Sequence, residues 1–455
     1  MRQIPAMMRF HFVVWAGLVA GTVLGSGCGG SIGTPPSASL PIVHTFDAAA
    51  AERGKTLLTV NTVSEGYIPR AGIESLWLVW PDGYSGDYWA AFRARYGLFE
   101  APFANDGLPM GIRAVGDKVT FDCLLCHGSK VAGQLMIGVA NSMLDVQGLI
   151  DDMTAAGKLA GIVPPYKLTN RTGAAGATDA VGMGFAFGQK IYGAAAANLR
   201  TDVGFERAPA WWQLKHKKWA FNDGSAVAPS FRTMAGTLLA FGLTIDQISQ
   251  RAPEFEDIGN YILSLEAPKW PLGQLDLSKW AQGRAVFETS CSSCHGVYHG
   301  DHPSYPDQIV PVAQIGTDPD RTMLFGPNEI NAINSTWFGD PPMIDTDGYL
   351  APTLLGIWAR APYFHNGSVP DLAGALESSA RPALWRRTGS EAADYDKDKV
   401  GWRYEVPTDH GDPSTIAGRK IYDTAREGLG NGGHKYGDSL SESDRTAVIE
   451  YLKSL

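Results

Sequence analysis

The chain has 455 residues, of which 44% are hydrophobic and 19% charged, so it can bury an ordinary core and wholesale disorder is excluded. Its formal net charge of −9 argues against binding to nucleic acid or to an anionic lipid surface. The 53 glycines and 28 prolines predict a loop-rich fold, and the length predicts about two to four domains.

The N-terminus has the features of an export signal. Arg2 and Arg9 supply positive charge, residues 10–24 are mostly apolar, and residues 25–27 are small, as at a signal-peptidase site. The alternative is a short membrane anchor, but the apolar run falls short of the ~20 residues that a spanning helix needs. We therefore predict a signal peptide over residues 1–27 and an exported protein.

Cys28 directly follows this predicted signal, at the position where bacterial lipoproteins carry their lipidated cysteine. It is also the one cysteine outside the two CxxC pairs described below. We predict lipidation of Cys28, with cleavage by an ordinary signal peptidase as the alternative. Residues 28–46 would then be a flexible tether, and the protein a periplasmic lipoprotein that touches the membrane only through its lipid anchor.

Two similar segments indicate an internal repeat. Residues 260–265 read NYILSL and residues 450–455 read EYLKSL, and each lies downstream of one CxxCH motif. Both segments are predicted to end amphipathic helices, the first starting at Pro253 and the second capped by Ser441 with Asp444 three residues on.

The helices that open the two repeats are predicted over Ala48 to Leu58, and from Ser278 as N-cap to Glu288. Pro268 and Pro271 interrupt the chain between the repeats. We predict an N-terminal domain over residues 47–272 and a C-terminal domain over residues 273–455, each with one CxxCH motif.

The two CxxCH motifs carry the sharpest chemical signal. Two cysteines three apart can each form a thioether bond to one vinyl group of a haem, and the adjacent histidine then lies under the iron as its proximal ligand. The cysteines are Cys123, Cys126, Cys291 and Cys294, and the histidines are His127 and His295. This pattern predicts two covalently bound haem c groups.

Three other interpretations of the CxxC pairs are weaker. Zinc knuckles normally lie within ~20 residues of each other, whereas these pairs are far apart and each precedes a histidine. A thioredoxin-like redox site needs only one pair, in a βαβ context that this sequence lacks. Structural disulfides rarely join cysteines so close in sequence.

The ligand on the far side of each iron decides the function, because a second strong ligand gives an electron carrier and an open position allows O₂ or peroxide to bind. His434 lies between glycines that let the backbone approach a planar cofactor, and it is a candidate distal ligand. His365 lies in an apolar segment that ends in a turn. It is predicted either to contact a ligand from behind without binding the iron, or to be an alternative ligand. His216 lies in a basic run that is more typical of a solvated face.

Residues 351–370, with the sequence APTLLGIWARAPYFHNGSVP, resemble the signature of the di-haem cytochrome c peroxidase superfamily. Residues 422–437 and 450–453 are similar, more narrowly, to its rubber-oxygenase-like (RoxA-like) branch. The resemblance implies a mainly α fold of two cytochrome-c-like helical domains with long Gly/Pro-rich loops and little β-structure. The chain is much shorter than the rubber oxygenases, and its predicted lipid anchor suits a cell-attached protein; both points count against rubber cleavage.

The resemblance also implies roles for individual residues. His434 would ligate the C-terminal haem opposite His295, and the haem on His127 would keep an open or weakly filled site for O₂ or peroxide. Trp211, Trp212 and Phe231 are implied as candidates for the distal pocket of that haem or for an electron path between the haems. A calcium ion between the haems, as in relatives, is left open.

Three functions are weighed. The first is a redox enzyme in which the C-terminal haem transfers electrons and the N-terminal haem activates peroxide or O₂, with small redox proteins or quinol-chain donors and acceptors as partners. The second is a non-catalytic periplasmic electron carrier with both haems six-coordinate, in which the first haem takes a further ligand from a set of five side chains: Met136, Met143, Met183, His216 and Met234. The third is a gas sensor, for which no output domain is visible in the sequence.

Overall fold

A computed structural model of the chain describes residues 32–33, 35–63, 66–159, 173–177, 204–241 and 243–455. The predicted signal peptide over residues 1–27, the predicted lipidation site Cys28 and the candidate ligand Met183 lie outside the described residues. None of the helices in the described part of the chain has the length and apolar character that a membrane-spanning helix requires.

The chain alternates short helices with short strands. The α-helices are Ala48–Thr59, Arg70–Glu74, Tyr88–Tyr96, Leu124–His127, Val146–Leu159, Phe231–Ala235, Ile245–Gln250, Ala252–Ser264, Leu277–Ser290, Ser292–His295, Val312–Ile315, Pro327–Asn334, Leu372–Leu376, Ile416–Arg419 and Glu442–Leu452. The 3₁₀ helices are Leu76–Val79, Trp211–His216, Gly236–Phe241, Asp320–Met323, Trp337–Gly339, Ile357–Arg360, Ser378–Ala380 and Ala392–Asp394. The strands are Ile32–Gly33, Ile68–Pro69, Ile112–Val115, Lys118–Phe121, Gly128–Val131, Gln134–Ile137, Trp219–Ala220, Ala226–Val227, Leu275–Asp276, Ile309–Pro311, Gly348–Leu350, Leu384–Arg387, Tyr395–Asp396, Gly401–Trp402, Tyr404–Glu405 and Tyr422–Asp423.

The predicted mainly α fold with little β-structure is wrong. Helices account for 40% of the structure and strands for 13%, and the strands of the described residues form seven small antiparallel sheets. The structure is therefore not clearly mainly helical, although it is not plainly of another class. The reason is visible at Ala132 and Gly133, whose φ angles of 50° and 79° form a two-residue turn that pairs Gly128–Val131 with Gln134–Ile137. Glycine-rich connections expected to be loops thus become hairpins.

The predicted long helices are confirmed, with small differences at their ends. The first opening helix is Ala48–Thr59, and the first closing helix is Ala252–Ser264, with Pro253 in its first turn. In the second closing helix, Glu442–Leu452, the Ser441 side chain accepts a hydrogen bond from the Asp444 amide as predicted. The second opening helix is Leu277–Ser290, and its N-cap is Asp276 rather than the predicted Ser278.

Each opening helix packs against the closing helix of its own half through a glycine. A Cβ atom on Gly54 would lie 2.0 Å from the Asp257 carbonyl oxygen, and one on Gly283 would lie 1.9 Å from the Ala447 carbonyl oxygen. No other residue allows the two backbones to come this close. Four residues further on, Leu58 and Phe287 are fully buried at equivalent positions, which extends the internal repeat from sequence into packing.

The hydrophobic cores do not follow the predicted boundary near residue 272. The core around the first helix pair also contains residues from the second half: Leu324, Phe325, Ile330, Ile333, Phe338 and Met343. The core around the second helix pair also contains residues from the first half: Leu40, Val131, Ala132, Val139, Ala210 and Trp212. The two halves therefore interlock, while the predicted assignment of one haem domain to each half stays a prediction.

We expect Gly283→Ala to lower the free energy of unfolding by about 1–3 kcal/mol or more, because the new methyl group would overlap the backbone of the second closing helix. Guanidinium denaturation measures this change. Gly72→Ala is the matched control, since Gly72 also lies in a helix but the nearest heavy atom to its added Cβ is 3.9 Å away. Equal stability of the two variants would contradict the close helix contact.

Candidate functional site

The first CxxCH motif opens onto a cavity of about 100 Å³. The motif folds as one helical turn, Leu124–His127, directly after the strand Lys118–Phe121. Buried Asp122 fixes this turn, because its carboxylate accepts a hydrogen bond of 2.8 Å from the Leu124 amide. Cys123, Cys126 and His127 all line the cavity, so the structure brings the first predicted attachment set together.

The His127 side chain is shielded from water. Burial lowers its pKa to about 3, which keeps the imidazole neutral and able to bind a metal. The Pro209 backbone acts in the opposite direction and partly offsets this lowering of the pKa. The indole of Trp211 stacks on the ring with 4.7 Å between ring centres. The remaining lining of this cavity is mainly apolar and includes Phe231, Met234, Ala235, Leu238, Phe255, Ile258 and Ile262.

The second CxxCH motif opens onto a larger cavity of about 240 Å³. Here the motif follows the second opening helix without interruption, as the turn Ser292–His295. Cys291, Cys294 and His295 line this cavity, and so do His434 and His365. The Nδ1 atom of His295 lies 2.9 Å from the carbonyl oxygen of Pro352, which leaves Nε2 directed away from the backbone as a metal donor.

His295 and His434 stand at the separation that two axial ligands of one metal ion require. Their ring centres are 6.2 Å apart and the rings are inclined by 58°. A metal–imidazole bond is about 2 Å long and the ring centre lies about 1 Å behind the nitrogen, so two opposed ligands place their centres about 6 Å apart. Burial, followed by the neighbouring His295, lowers the pKa of His434 to about 4 and keeps its ring neutral.

The loop that carries His434 is held by its backbone. His434 has a left-handed φ of 44°, and a Cβ on the preceding Gly433 would lie 2.2 Å from the backbone of Gly316. Arg381 donates hydrogen bonds to the carbonyl oxygens of Asn431, Gly433 and His434, at 2.7, 2.7 and 3.1 Å. One arginine therefore fixes the turn that presents this histidine to the cavity.

The two cavities are built from similar short motifs that the repeat of residues 260–265 and 450–455 did not reveal. Ala-Pro dipeptides at residues 208–209 and 351–352 place a proline carbonyl next to His127 and His295 respectively. Residues 221–225 (FNDGS) and 364–368 (FHNGS) both form turns in which the phenylalanine and the glycine have positive φ. A search for repeats around these short motifs, rather than around helices alone, would have found them.

A short helix follows each of these turns and lines its own cavity. In the first half this helix is Phe231–Ala235, and in the second it is Leu372–Leu376. Aligned from their first residues, Met234 in the first cavity corresponds to Ala375 in the second. The first cavity is thus narrowed by a larger side chain where the second has room for His434.

The 3₁₀ helix Trp211–His216 connects the two cavities. Trp211 stacks on His127, whereas Trp212 belongs to the second core and donates a hydrogen bond of 2.8 Å to the Leu355 carbonyl oxygen. Gln213 donates to the carbonyl oxygen of Thr353, the residue after Pro352, at 2.7 Å. Of the three predicted aromatics, Trp211 and Phe231 line the first cavity, and Trp212 lies on the side of the second core.

The other candidate ligands lie in different surroundings. His365 lines the second cavity, is half-buried and stacks on Tyr349 with 4.1 Å between ring centres, and its Nε2 has no partner among the described residues. His216 is buried outside both cavities, with Nδ1 at 2.8 Å from the Pro41 carbonyl oxygen, so its prediction as a solvated face is wrong. Within the described ranges, no group of three or more His, Cys, Asp or Glu side chains is placed to hold a metal ion.

Two cavities, each with two cysteines and a neutral histidine on one helical turn, fit the attachment of haem c. Residues 348–386 match the family model described as RoxA-like, cytochrome c-like. This match supports a relation to the RoxA-like cytochromes and implies a haem c protein with a role in electron transfer.

Two curated relatives are similar over longer regions. The chain is 25% identical over 295 residues to the uncharacterized protein y4iM of Sinorhizobium fredii (strain NBRC 101917 / NGR234), and this match covers 54% of the chain and 63% of that protein. It is 26% identical over 277 residues to the uncharacterized protein y4iJ of the same organism, covering 46% of the chain and 44% of that protein. The matches thus span less than two thirds of either relative.

We expect Arg381→Gln to loosen the loop that carries His434, because three carbonyl oxygens lose a charged donor. Amide hydrogen exchange in a peptide over residues 428–437 should become at least about tenfold faster, which corresponds to about 1.4 kcal/mol. Arg386→Gln is the control, since Arg386 is exposed and forms a surface ion pair with Glu405. Equal exchange in both variants would contradict this role of Arg381.

Proposed function

We propose that this protein is an exported di-haem c-type cytochrome that acts as a redox enzyme. In this proposal the C-terminal haem, at Cys291 and Cys294, transfers electrons, and the N-terminal haem, at Cys123 and Cys126, activates peroxide or O₂. The observation that carries the proposal is the difference between the two cavities: the second contains a histidine pair at 6.2 Å, and the first contains His127 without a second histidine among its described lining.

An iron with two axial histidines exchanges electrons, whereas an iron with one free axial position can bind and activate O₂ or peroxide. In the second cavity, the Pro352 carbonyl orients His295 and the loop held by Arg381 orients His434, so both rings are fixed in advance. In the first cavity, apolar side chains such as Phe231 and Leu238 line the space beside His127, and an apolar lining disfavours water. The residues of each cavity therefore suit the role given to it.

The contacts between the cavities support electron transfer from one to the other. Trp211 stacks on His127, its neighbour Trp212 bonds to the Leu355 carbonyl, and three residues before Leu355 the Pro352 carbonyl contacts His295. We propose this route, through adjacent tryptophans and a short backbone segment, as the path between the two haems. Export, lipidation of Cys28, and a small redox protein or a quinol-chain donor as partner belong to the same proposal and follow from the sequence.

Electron paramagnetic resonance of the ferric, signal-free protein, before and after one equivalent of hydrogen peroxide, tests the proposal. We expect one low-spin and one high-spin haem, because among the described residues a second histidine lines the second cavity and none lines the first besides His127. Peroxide should consume the high-spin signal. Two low-spin signals that do not respond to peroxide would contradict the enzymatic role.

The alternative is an electron carrier with both haems six-coordinate, and one observation favours it. Of the methionines and the histidine considered as additional ligands, Met234 is the one among the described residues that lines the first cavity. Met234→Leu separates the two functions, because it keeps an apolar side chain of similar volume but removes the sulfur. A low-spin first haem that becomes high-spin in this variant would establish the carrier, and an unchanged high-spin signal would support the enzyme.

We also expect His434→Ala to convert the haem of the second cavity from low-spin to high-spin, since it removes one ring of the pair at 6.2 Å. Optical and paramagnetic resonance spectra measure this conversion. His365→Ala is the matched control, because His365 lines the same cavity but stacks on Tyr349. Conversion in the His365 variant and not in the His434 variant would reassign the ligand.

A further inference from the structure

Three cationic side chains line the second cavity although they are almost fully buried. Arg207, Lys217 and Arg360 are 3%, 5% and 9% exposed. None of them belongs to the CxxCH motif or to the histidine pair, and the proposed redox chemistry has not used them. Buried cations are costly unless an anion is nearby, so their presence at one cavity needs a reason.

These three side chains lack a carboxylate partner among the described residues. Arg360 donates one hydrogen bond of 3.1 Å to Gln213, and neither its Nε nor the Nε of Arg207 has a partner in the described part of the chain. The negative charge of Asp307 raises the pKa of Lys217 slightly, but the two side chains form no ion pair within the described ranges. The Asp307 carboxylate instead accepts a hydrogen bond from the Lys218 amide.

Two other buried arginines of this chain are neutralised by protein carboxylates. Arg321 pairs with Glu206 at 3.0 Å and with Asp223 at 2.6 Å. Arg419 pairs with Asp145 at 2.8 Å. The cavity cations lack such a carboxylate within the described residues, so an anion that enters the cavity would take its place.

The electrostatics of the cavity agree with a missing anion. Burial lowers the pKa of Arg207 to about 9, of Lys217 to about 8 and of Arg360 to about 10. The positive charge of Arg360 lowers the pKa of both Arg207 and Lys217 further, so the three groups repel one another. A pair of negative charges between them would relieve this repulsion.

The position of the cations fits one particular source of negative charge. The cavity also contains Cys291 and Cys294, to which a haem would be joined at its vinyl edge, and haem carries its two carboxylates at the opposite edge. Lys217 lines the first cavity as well as the second, so it lies where the two cavities meet. The cations thus lie within the cavity that would hold the cofactor, without being part of its attachment motif.

We propose that Arg207, Arg360 and Lys217 form a carboxylate-binding site for the two propionates of the haem attached at Cys291 and Cys294, with Lys217 at the border to the first cavity. This inference rests on the proposed function, because it requires haem c in the second cavity. The same chemistry would also bind a free dicarboxylate that enters the cavity, and the experiment separates the two sources.

The test is the midpoint potential of the low-spin haem, measured by potentiometric titration of the holoprotein in Arg207→Gln and Arg360→Gln. Loss of a cation beside the propionates should move the potential to lower values, because positive charge disfavours the ferric state. Arg360→Lys should stay close to the wild type. Arg113→Gln is the matched control, since Arg113 is also buried but lines neither cavity, and its shift should be smaller.

Potentials that match the wild type in both Gln variants, with complete haem content, would overturn the inference. A potential that depends on added succinate in the wild type, and loses this dependence in Arg360→Gln, would reassign the site to a free dicarboxylate. Before these titrations, mass spectrometry shows whether the peptide with Cys291 and Cys294 carries haem. Absence of haem there would contradict the proposed function itself. Haem at this peptide, with variant midpoint potentials equal to that of the wild type, would contradict only this inference.

Where the Gln variants fail to mature, the wild type alone decides the question. Haem labelled with ¹³C in its propionate carboxyl groups gives labelled bands in the redox-triggered infrared difference spectrum. We expect the bands of ionised carboxylates at neutral pH, because three cations surround them. A labelled band of protonated carboxyl at neutral pH would contradict the proposal.

Discussion

The close contact between opening and closing helices is the constraint on which the rest of the structure depends. In each half, a glycine without a side chain lets one helix lie directly against the backbone of the other. In the second half the opening helix runs straight into Cys291, and the closing helix supplies Val448 and Leu452 to the cavity wall. The helix contact therefore sets the width of the space beside the cysteines, and the loops only complete it.

The two halves share several local motifs but differ in the side chains that line their cavities. Both use a proline carbonyl beside the motif histidine and a turn with two positive φ angles next to a short helix. The second half then adds the Gly-rich loop with His434, and the first fills the corresponding space with Met234 and Phe231. A repeated framework with unequal side chains is a simple way to obtain two cofactor environments of different reactivity from one architecture.

Local sequence patterns predicted the elements whose causes are local. Helical periodicity located the four long helices, and Ser441 with Asp444 located a cap, because a helix is stabilised by residues three and four apart. The strand content was missed, because pairing between two- to four-residue strands depends on turns such as Ala132–Gly133 rather than on composition. Pro209, Arg207 and Arg360 were also missed, since a carbonyl or a lone cation acquires a role only when distant segments meet.

The helix Trp211–His216 makes the two halves inseparable. Its first tryptophan lies on the histidine of one cavity and the next is packed into the core of the other half, so a cut between the halves would expose one of them. Residues of the second half likewise complete the first core. Because each core needs residues from both halves, we expect the chain to unfold in one cooperative step and neither half to fold when it is produced alone.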